Sequence, residues 1–584
     1  MKIITNQPTN RSILRDEFSR RDGVVLLIVL VIIAMLSLAS YSFTEIMISE
    51  AEATAAFGRD VQARALADSG IELVAAYLGD QSETAEDNFY HNPDLFQSIL
   101  MRGTDDDVPR YRGRVSIVAG IENDSTATEI RFGLIDESAK LNINALVAAG
   151  SGDDANASEN AAATPDDTAG ESVGEAAAEP DFGELRDRLM FLPGMTEEIA
   201  DAILDFIDED DEAREYGSES DYYAGLDPPY EAKNAPLESL DELLLVNGVT
   251  PELMFGIDIN RNGLIDASEQ AQFGDPSSSA GLQESPFGWS TYLTVYSRES
   301  NLRSDGTARI NLNHDDLSAL YDQLEEEFGE DEAKFIIGYR LVGAASAEDE
   351  GQAAGSSSNS SSSGRGNARG LSGSNSGESG SGNNEPELKG GIDISGGAKV
   401  TINSIYDLIG VEVEIEVDEE QTTLISPWSE DTAEMLTYLP DLMDVLSTTD
   451  EEFIEGRLNV NQARAETLLG VPGIEEDLVN KIVNSQMTGL DGIPSADTMN
   501  LHATSGWLVI EGLADLETMR LLAPYLTAKG GVYKLQSVGY YDAGGAMARV
   551  EAVIDATQQP PRLIFQRDLS DLGRGFTQSQ LNGP

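Results

Sequence analysis

From Val24 to Phe43 about 20 consecutive residues carry no charge, the length that a helix rising 1.5 Å per residue needs to cross roughly 30 Å of hydrocarbon. A secretory signal core is usually shorter, about 7–15 residues, and gives way to an unrelated mature fold. Here the helical pattern continues: Ile46, Met47, Ala53, Phe57, Val61, Ala65, Leu66, Ile71, Val74 and Leu78 keep an amphipathic spacing. The segment therefore predicts one helix from Val24 to about Leu78, half in lipid and half on a soluble domain. Arg15, Arg20 and Arg21 precede it and favour a cytoplasmic N-terminus.

Composition narrows the function classes. With 104 acidic against 37 basic residues the net charge is -67, which opposes binding to nucleic acid or anionic lipid. The absence of cysteine rules out disulfides, zinc-thiolate sites and thiol catalysis, and 3 histidines leave little for a hydrolytic triad. No nucleophile paired with histidine, phosphate loop or open metal site with a general base is legible, so the chain reads as a structural protein and not an enzyme.

Residues 148–181 and 344–390 lack apolar periodicity and read as linkers, the second rich in Gly and Ser. Between them, 182–285 reads as an inserted helical domain and 286–343 as a strand and helical unit. Residues 391–500 read as a further helical repeat and 501–584 as closing strands. Alternation before the first linker, in 80–147, predicts two strands about a turn, and Gly544 and Gly545 mark a closing hairpin.

A repeat recurs along the chain. Leu141-Asn142-Ile143-Asn144, Ile310-Asn311-Leu312-Asn313 and Leu458-Asn459-Val460-Asn461 each end a strand-like run before a helix, with asparagine as a helix N-cap, and Thr401-Ile402-Asn403-Ser404 is a partial match. "LMFLPGMTEEIADAIL", "LLLVNGVTPELM" and "LLGVPGIEEDLVNKIV" have the form of helix-hairpin-helices. Such motifs often grip DNA phosphates, but Glu197, Glu198, Glu475, Glu476 and Asp477 stand where basic residues would be needed. No nucleic acid is expected, and the hairpins read as packing modules.

The segment Asp258 to Glu269, "DINRNGLIDASE", is sharper. Asp258, Asn260, Asn262, Leu264, Asp266 and Glu269 fall at positions 1, 3, 5, 7, 9 and 12 of an EF-hand loop, with Gly263 at the turn. Side-chain oxygens, one backbone carbonyl and a bidentate closing glutamate fit calcium, weakened by the two neutral asparagines.

The charged leader and continuous helix resemble the signal of type IV pilins and type II secretion pseudopilins. That resemblance implies cleavage between Gly23 and Val24 by a prepilin peptidase, methylation of the new N-terminus, and a membrane anchor at residues 24–43. Most such proteins carry glutamate at the fifth mature position, whereas this chain has Ile28. The subunit type that lacks it is the minor pseudopilin K family, thought to cap the pseudopilus tip, where an unpaired carboxylate in lipid would cost several kcal/mol without return.

The stretch from Leu192 to Met254 also resembles that family's helical domain through Asp208, Asp210 and Asp211, a Gly-and-acid turn before Asp221-Tyr222-Tyr223, and Asp227-Pro228-Pro229-Tyr230. The family binds calcium in this loop, which implies Asp208, Asp210, Asp211 and Asp221 as ligands. The implied fold is α+β: a cleaved leader (1–23), a transmembrane and amphipathic helix (24–79), a pseudopilin-type antiparallel sheet, and an inserted α-helical domain of helix-hairpin-helix or SAM-like form. The implied role is a minor pseudopilin of a type II protein secretion system, single-pass in the bacterial inner membrane with its bulk in the periplasm. Its implied partners are other minor pseudopilins, the secretion platform and the prepilin peptidase. The alternative is a type IV pilus-related DNA-uptake or adhesion protein.

Overall fold

The computed structural model describes residues 18–80, 89–121, 130–150, 182–273, 286–345, 388–418, 420–486 and 500–582. Nearly all of both expected linkers, and the leader up to residue 17, lie outside these residues. Helix α1, Phe18–Gly79, is unbroken through the apolar run, and among the described residues it is the one helix long and apolar enough to cross a membrane.

The second half of α1 divides into two. Ile46, Met47, Phe57 and Val61 are exposed, whereas Ala63, Leu66, Ala67, Ile71, Val74 and Leu78 are buried. The amphipathic spacing thus finds its cover within the chain only beyond residue 62. There α1 lies on an antiparallel sheet of seven strands: β1 (Ile99–Arg102), β2 (Gly113–Gly120), β3 (Ile130–Phe132), β4 (Ile135–Asp136), β5 (Val532–Tyr541), β6 (Met547–Asp555) and β7 (Arg562–Asp568). The main order is β1-β2-β5-β6-β7, with β3 on β2 and β4 on β5. Strands from both ends of the chain meet at β2 and β5, where Ser537 faces Ile117.

Glycines set how closely helix and sheet approach. A methyl group on Gly70 would overlap Ser537 Oγ and Val115, and one on Gly539 would overlap the Ala63 carbonyl. The gap is bridged by Ser537 Oγ, which donates to the Ala67 carbonyl at 2.7 Å. Apolar burial at about 25 cal/mol per Å² drives this contact, and the core runs from Leu66 and Val74 through Val115, Ile117, Val538 and Val550.

The described residues between β4 and β5 form a mainly helical insertion built from three related units. Each opens and closes on a two-residue parallel pair: Leu141–Asn142 with Leu293–Thr294, Ile310–Asn311 with Leu446–Ser447, and Leu458–Asn459 with Leu526–Thr527. The repeated asparagines explain the recurrence. The first of each pair accepts the amide two residues on, at 3.1, 2.8 and 2.9 Å. The second reaches across the unit: Asn144 donates to the Leu237 carbonyl, Asn313 to Ile402 and Asn461 to His502, at 2.9, 2.8 and 2.9 Å. These are buried backbone groups that would otherwise go unpaired.

The N-cap expectation holds only in the first unit, where Asn142 accepts from Asn144 and Ala145. In the second, Asp316 caps the following helix, Leu317–Glu327. The three expected Gly turns each lie between short helices, with Gly194, Gly248 and Gly473 at φ of 71°, 83° and 75°. Two boundaries shift. The first unit closes at Thr294 rather than at 285, and residues 501–529 belong to the third unit, because Trp507, Leu508, Met519 and Leu522 share its core with the second. The closing strands begin at Val532.

Candidate metal centres

The first centre forms at the end of helix Glu197–Ile207. Asp201, Asp205 and Asp208 fall at i, i+4 and i+7, one face of the helix, and all three are buried. Burial of carboxylates demands partners. Arg186 pairs with Asp201 at 3.4 Å, and Arg214 donates to Asp205 and Asp208 at 2.5 and 2.6 Å. Beneath the loop, Tyr223 stacks on Tyr230 at 5.2 Å and meets Phe206 edge-on at 5.4 Å. Tyr223 and Tyr230 of the "DYY…DPPY" run, with Phe206, thus form the aromatic floor beside the acidic loop.

Arg214 does not satisfy the whole cluster. Asp208 Oδ1 and both oxygens of Glu219 are buried without a hydrogen-bond partner, and Glu219 is only 6% exposed. Among the described residues, Asp208, Asp210 and Glu219 form the one group of three acidic side chains whose oxygens all lie within 4.8 Å of one another. Burial first, then the charges of Asp205 and Asp208, push Glu219 up to about 7. Three converging carboxylates, of which Asp208 and Glu219 hold orphaned buried oxygens, fit a hard cation.

Of the expected ligands, Asp208 and Asp210 come together, with Glu219 as the third member of the group, whereas Asp211, which accepts from Asn234 Nδ2 at 3.0 Å, and Asp221 lie outside it. The readable signal was the i, i+4, i+7 spacing of Asp201, Asp205 and Asp208 in an otherwise apolar helix, which points inward to a charged partner.

The second centre is the loop from Asp258 to Glu269. Gly263 has φ of 75°, the turn expected at position 6. Asp258 accepts from the amides of Asn262 and Gly263 at 3.1 and 2.8 Å, and Glu269 accepts from those of Asn260 and Asp266 at 3.2 and 3.0 Å. Asp266 accepts from Asn260 Nδ2 at 3.0 Å, leaving Asn260 Oδ1 buried without a partner. Burial and the neighbouring Glu269 push Asp258 up to about 7. Asp258, Asn260, Asp266 and Glu269 thus close the loop on itself. Their residue types are those of a calcium loop, but the carboxylate oxygens are taken up by the loop's own N–H groups and do not converge within 4.8 Å, leaving Asn260 Oδ1 as the unsatisfied oxygen. Asn262 is turned away, donating to the Gly575 carbonyl at 2.5 Å while its Oδ1 accepts from the Leu264 amide at 2.8 Å. Leu264 points its side chain into the core of the sheet.

Gly23 and Val24 lie within α1, in the unbroken first turns of the helix.

No curated protein matches the chain. Among solved structures, one in the GspK-GspI-GspJ complex of the type 2 secretion system of enterotoxigenic Escherichia coli is 11% identical over 89% of this chain and 98% of that one, with a TM-score of 0.31. The family model described as type II secretion system (T2SS), protein K matches residues 139–257, which hold the first acidic centre and its aromatic floor. By that match residues 139–257 of the chain are similar to the type II secretion system protein K family.

Proposed function

We propose that this protein is a minor pseudopilin that caps the tip of a type II secretion pseudopilus and nucleates its assembly with other minor pseudopilins. It is anchored by residues 24–43 in the inner membrane, after peptidase cleavage between Gly23 and Val24, and its bulk lies in the periplasm. The observation that carries the reading is the pairing of a helical insertion similar to protein K with an apolar N-terminal helix that has Ile28 where stacking subunits hold a glutamate. A subunit with nothing above it gains nothing from a carboxylate in lipid. Assembly with partner pseudopilins is therefore expected to proceed with Ile28 in place, and Ile28→Glu is expected to leave it unchanged or weaker, as read by detergent co-purification. A requirement for Ile28→Glu before any partner is retained would remove the tip assignment.

Calcium is the cation that Asp208, Asp210 and Glu219 suit, and its role in this reading is to stabilise the insertion. A ligand that binds only the folded state adds roughly 2.7 kcal/mol at a hundredfold excess over Kd. Titration calorimetry on the full chain is expected to show a calcium heat that Glu219→Gln removes, together with the calcium-induced rise in Tm. Glu269→Gln should leave both in place. If the unmutated chain gave neither heat nor thermal shift, the acidic loop would be an ordinary polar turn.

A further inference from the structure

The three units share more than their asparagines. The residue just before each opening pair is a cation, Lys140, Arg309 or Arg457, and the residue that ends each closing pair bears a hydroxyl, Thr294, Ser447 or Thr527. In the first and third units a glutamate joins the two. Glu137 accepts from Lys140 Nζ at 2.5 Å and from Thr294 Oγ1, and Glu299 accepts from Arg457 Nη1 at 2.9 Å and from Thr527 Oγ1 at 2.5 Å. The second unit repeats the frame without the glutamate. Arg309 Nε donates to the carbonyl of Asp444, two residues before Leu446, at 3.2 Å, just as Arg457 Nε donates to that of Pro524, two residues before Leu526, at 3.3 Å. Among the described residues, however, no acceptor meets the terminal nitrogens of Arg309.

Arg309 lines a cavity of about 250 Å³ walled by the second and third units. Arg309, Arg457 and Lys529 line it against Glu299 and Asp444, an excess of one positive charge in a chain with 104 acidic and 37 basic residues. Both carboxylates are engaged: Glu299 as above, and Asp444 by the amide and hydroxyl of Ser304, each at 2.9 Å. Burial lowers the pKa of Arg309, and the charges of Glu299 and Asp444 only oppose that shift. The guanidinium is thus short of an anion. Ile405, Met443 and Ile454 give the same cavity an apolar side. We propose that this cavity binds a small organic carboxylate, whose two oxygens take the Arg309 fork where Glu137 and Glu299 serve the sister units, and whose apolar body lies against Ile405, Met443 and Ile454. A planar carboxylate matches the guanidinium in two parallel bonds. One negative charge also balances the cavity, whereas a dianion such as sulfate would leave charge buried without a partner. Because both units wall the cavity, a bound carboxylate would stabilise the joint between them.

The test uses the full chain in neutral detergent, with butyrate as the probe and saturation-transfer NMR as the readout. Butyrate is expected to give a saturable signal, and butyramide, of the same shape without the charge, to bind about tenfold weaker or less well still. Arg309→Gln should lose the butyrate signal to a similar extent while keeping its Tm, since it removes a buried charge and breaks no ion pair. Arg309→Lys, which keeps the charge and loses the fork, should fall between the two. No saturable butyrate signal, or one unchanged in both Arg309 variants, would overturn the site. Equal binding of butyramide, or displacement of butyrate by equimolar sulfate, would overturn the carboxylate assignment.

Discussion

Replacing Asp136 with alanine is expected to destabilise the protein by on the order of 3–5 kcal/mol. Asp136 ends β4 and is 3% exposed, and it joins the sheet to the third helical unit. Its Oδ1 accepts from the Ser138 amide at 2.8 Å, and its Oδ2 from the Gly530 amide at 2.7 Å and from Asn459 Nδ2 at 2.8 Å. Truncation strands three buried donors, each costing about 1–3 kcal/mol when unpaired. Desolvation works against the native carboxylate and raises its pKa, opposed by these same bonds, so part of the gross loss is returned. Asp136→Asn should recover little, because its amide nitrogen would face either Ser138 or the Gly530 and Asn459 donors. Thermal and urea unfolding of both variants measures the effect. A loss below about 1 kcal/mol would mean that the sheet and the third unit are held together elsewhere.

The second large effect concerns the N-terminus. Gly23→Leu is expected to abolish processing, so that the chain accumulates with Met1 retained and fails to join other pseudopilins. Gly23 lies inside α1, where glycine costs about 0.5–1 kcal/mol relative to alanine, so helix stability gives no reason for it. On the proposed reading, a peptidase that requires a small residue before the cut would supply one. Terminal peptide mapping should find Val24 first in the unmutated protein and the leader intact in the variant. Normal maturation of Gly23→Leu would place the cut elsewhere and remove the argument from Gly23.

Much of the architecture was legible because it rests on local patterns. The apolar run and its amphipathic continuation predict α1, and the glycines at 544 and 545 predict the hairpin of β5 and β6, whose register pairs Val532 with Asp555. The Asn repeat announced three related units, although its purpose escaped local reasoning. The partner of Asn144 is 93 residues away and that of Asn313 is 89, and no periodicity reports so distant a contact. The same limit applied to the first centre. Asp211 and Asp221 are as acidic in sequence as Asp208 and Asp210, but only convergence in space separates ligand candidates from solvated charge. Glu219 was hidden because its two unpartnered oxygens are a property of packing, not of spacing. Strand β7 went unread since most of it is exposed at the edge of the sheet, which erases the alternation expected of a half-buried strand.

The most direct measurement is quantitative cross-linking mass spectrometry on the full chain purified from membranes in mild detergent. A tip subunit predicts one copy of this chain per assembly, cross-linked to other minor pseudopilins, with repeating subunits reached only through them. Several copies cross-linked to one another along a filament, or a chain recovered with DNA and no pseudopilin, would contradict it.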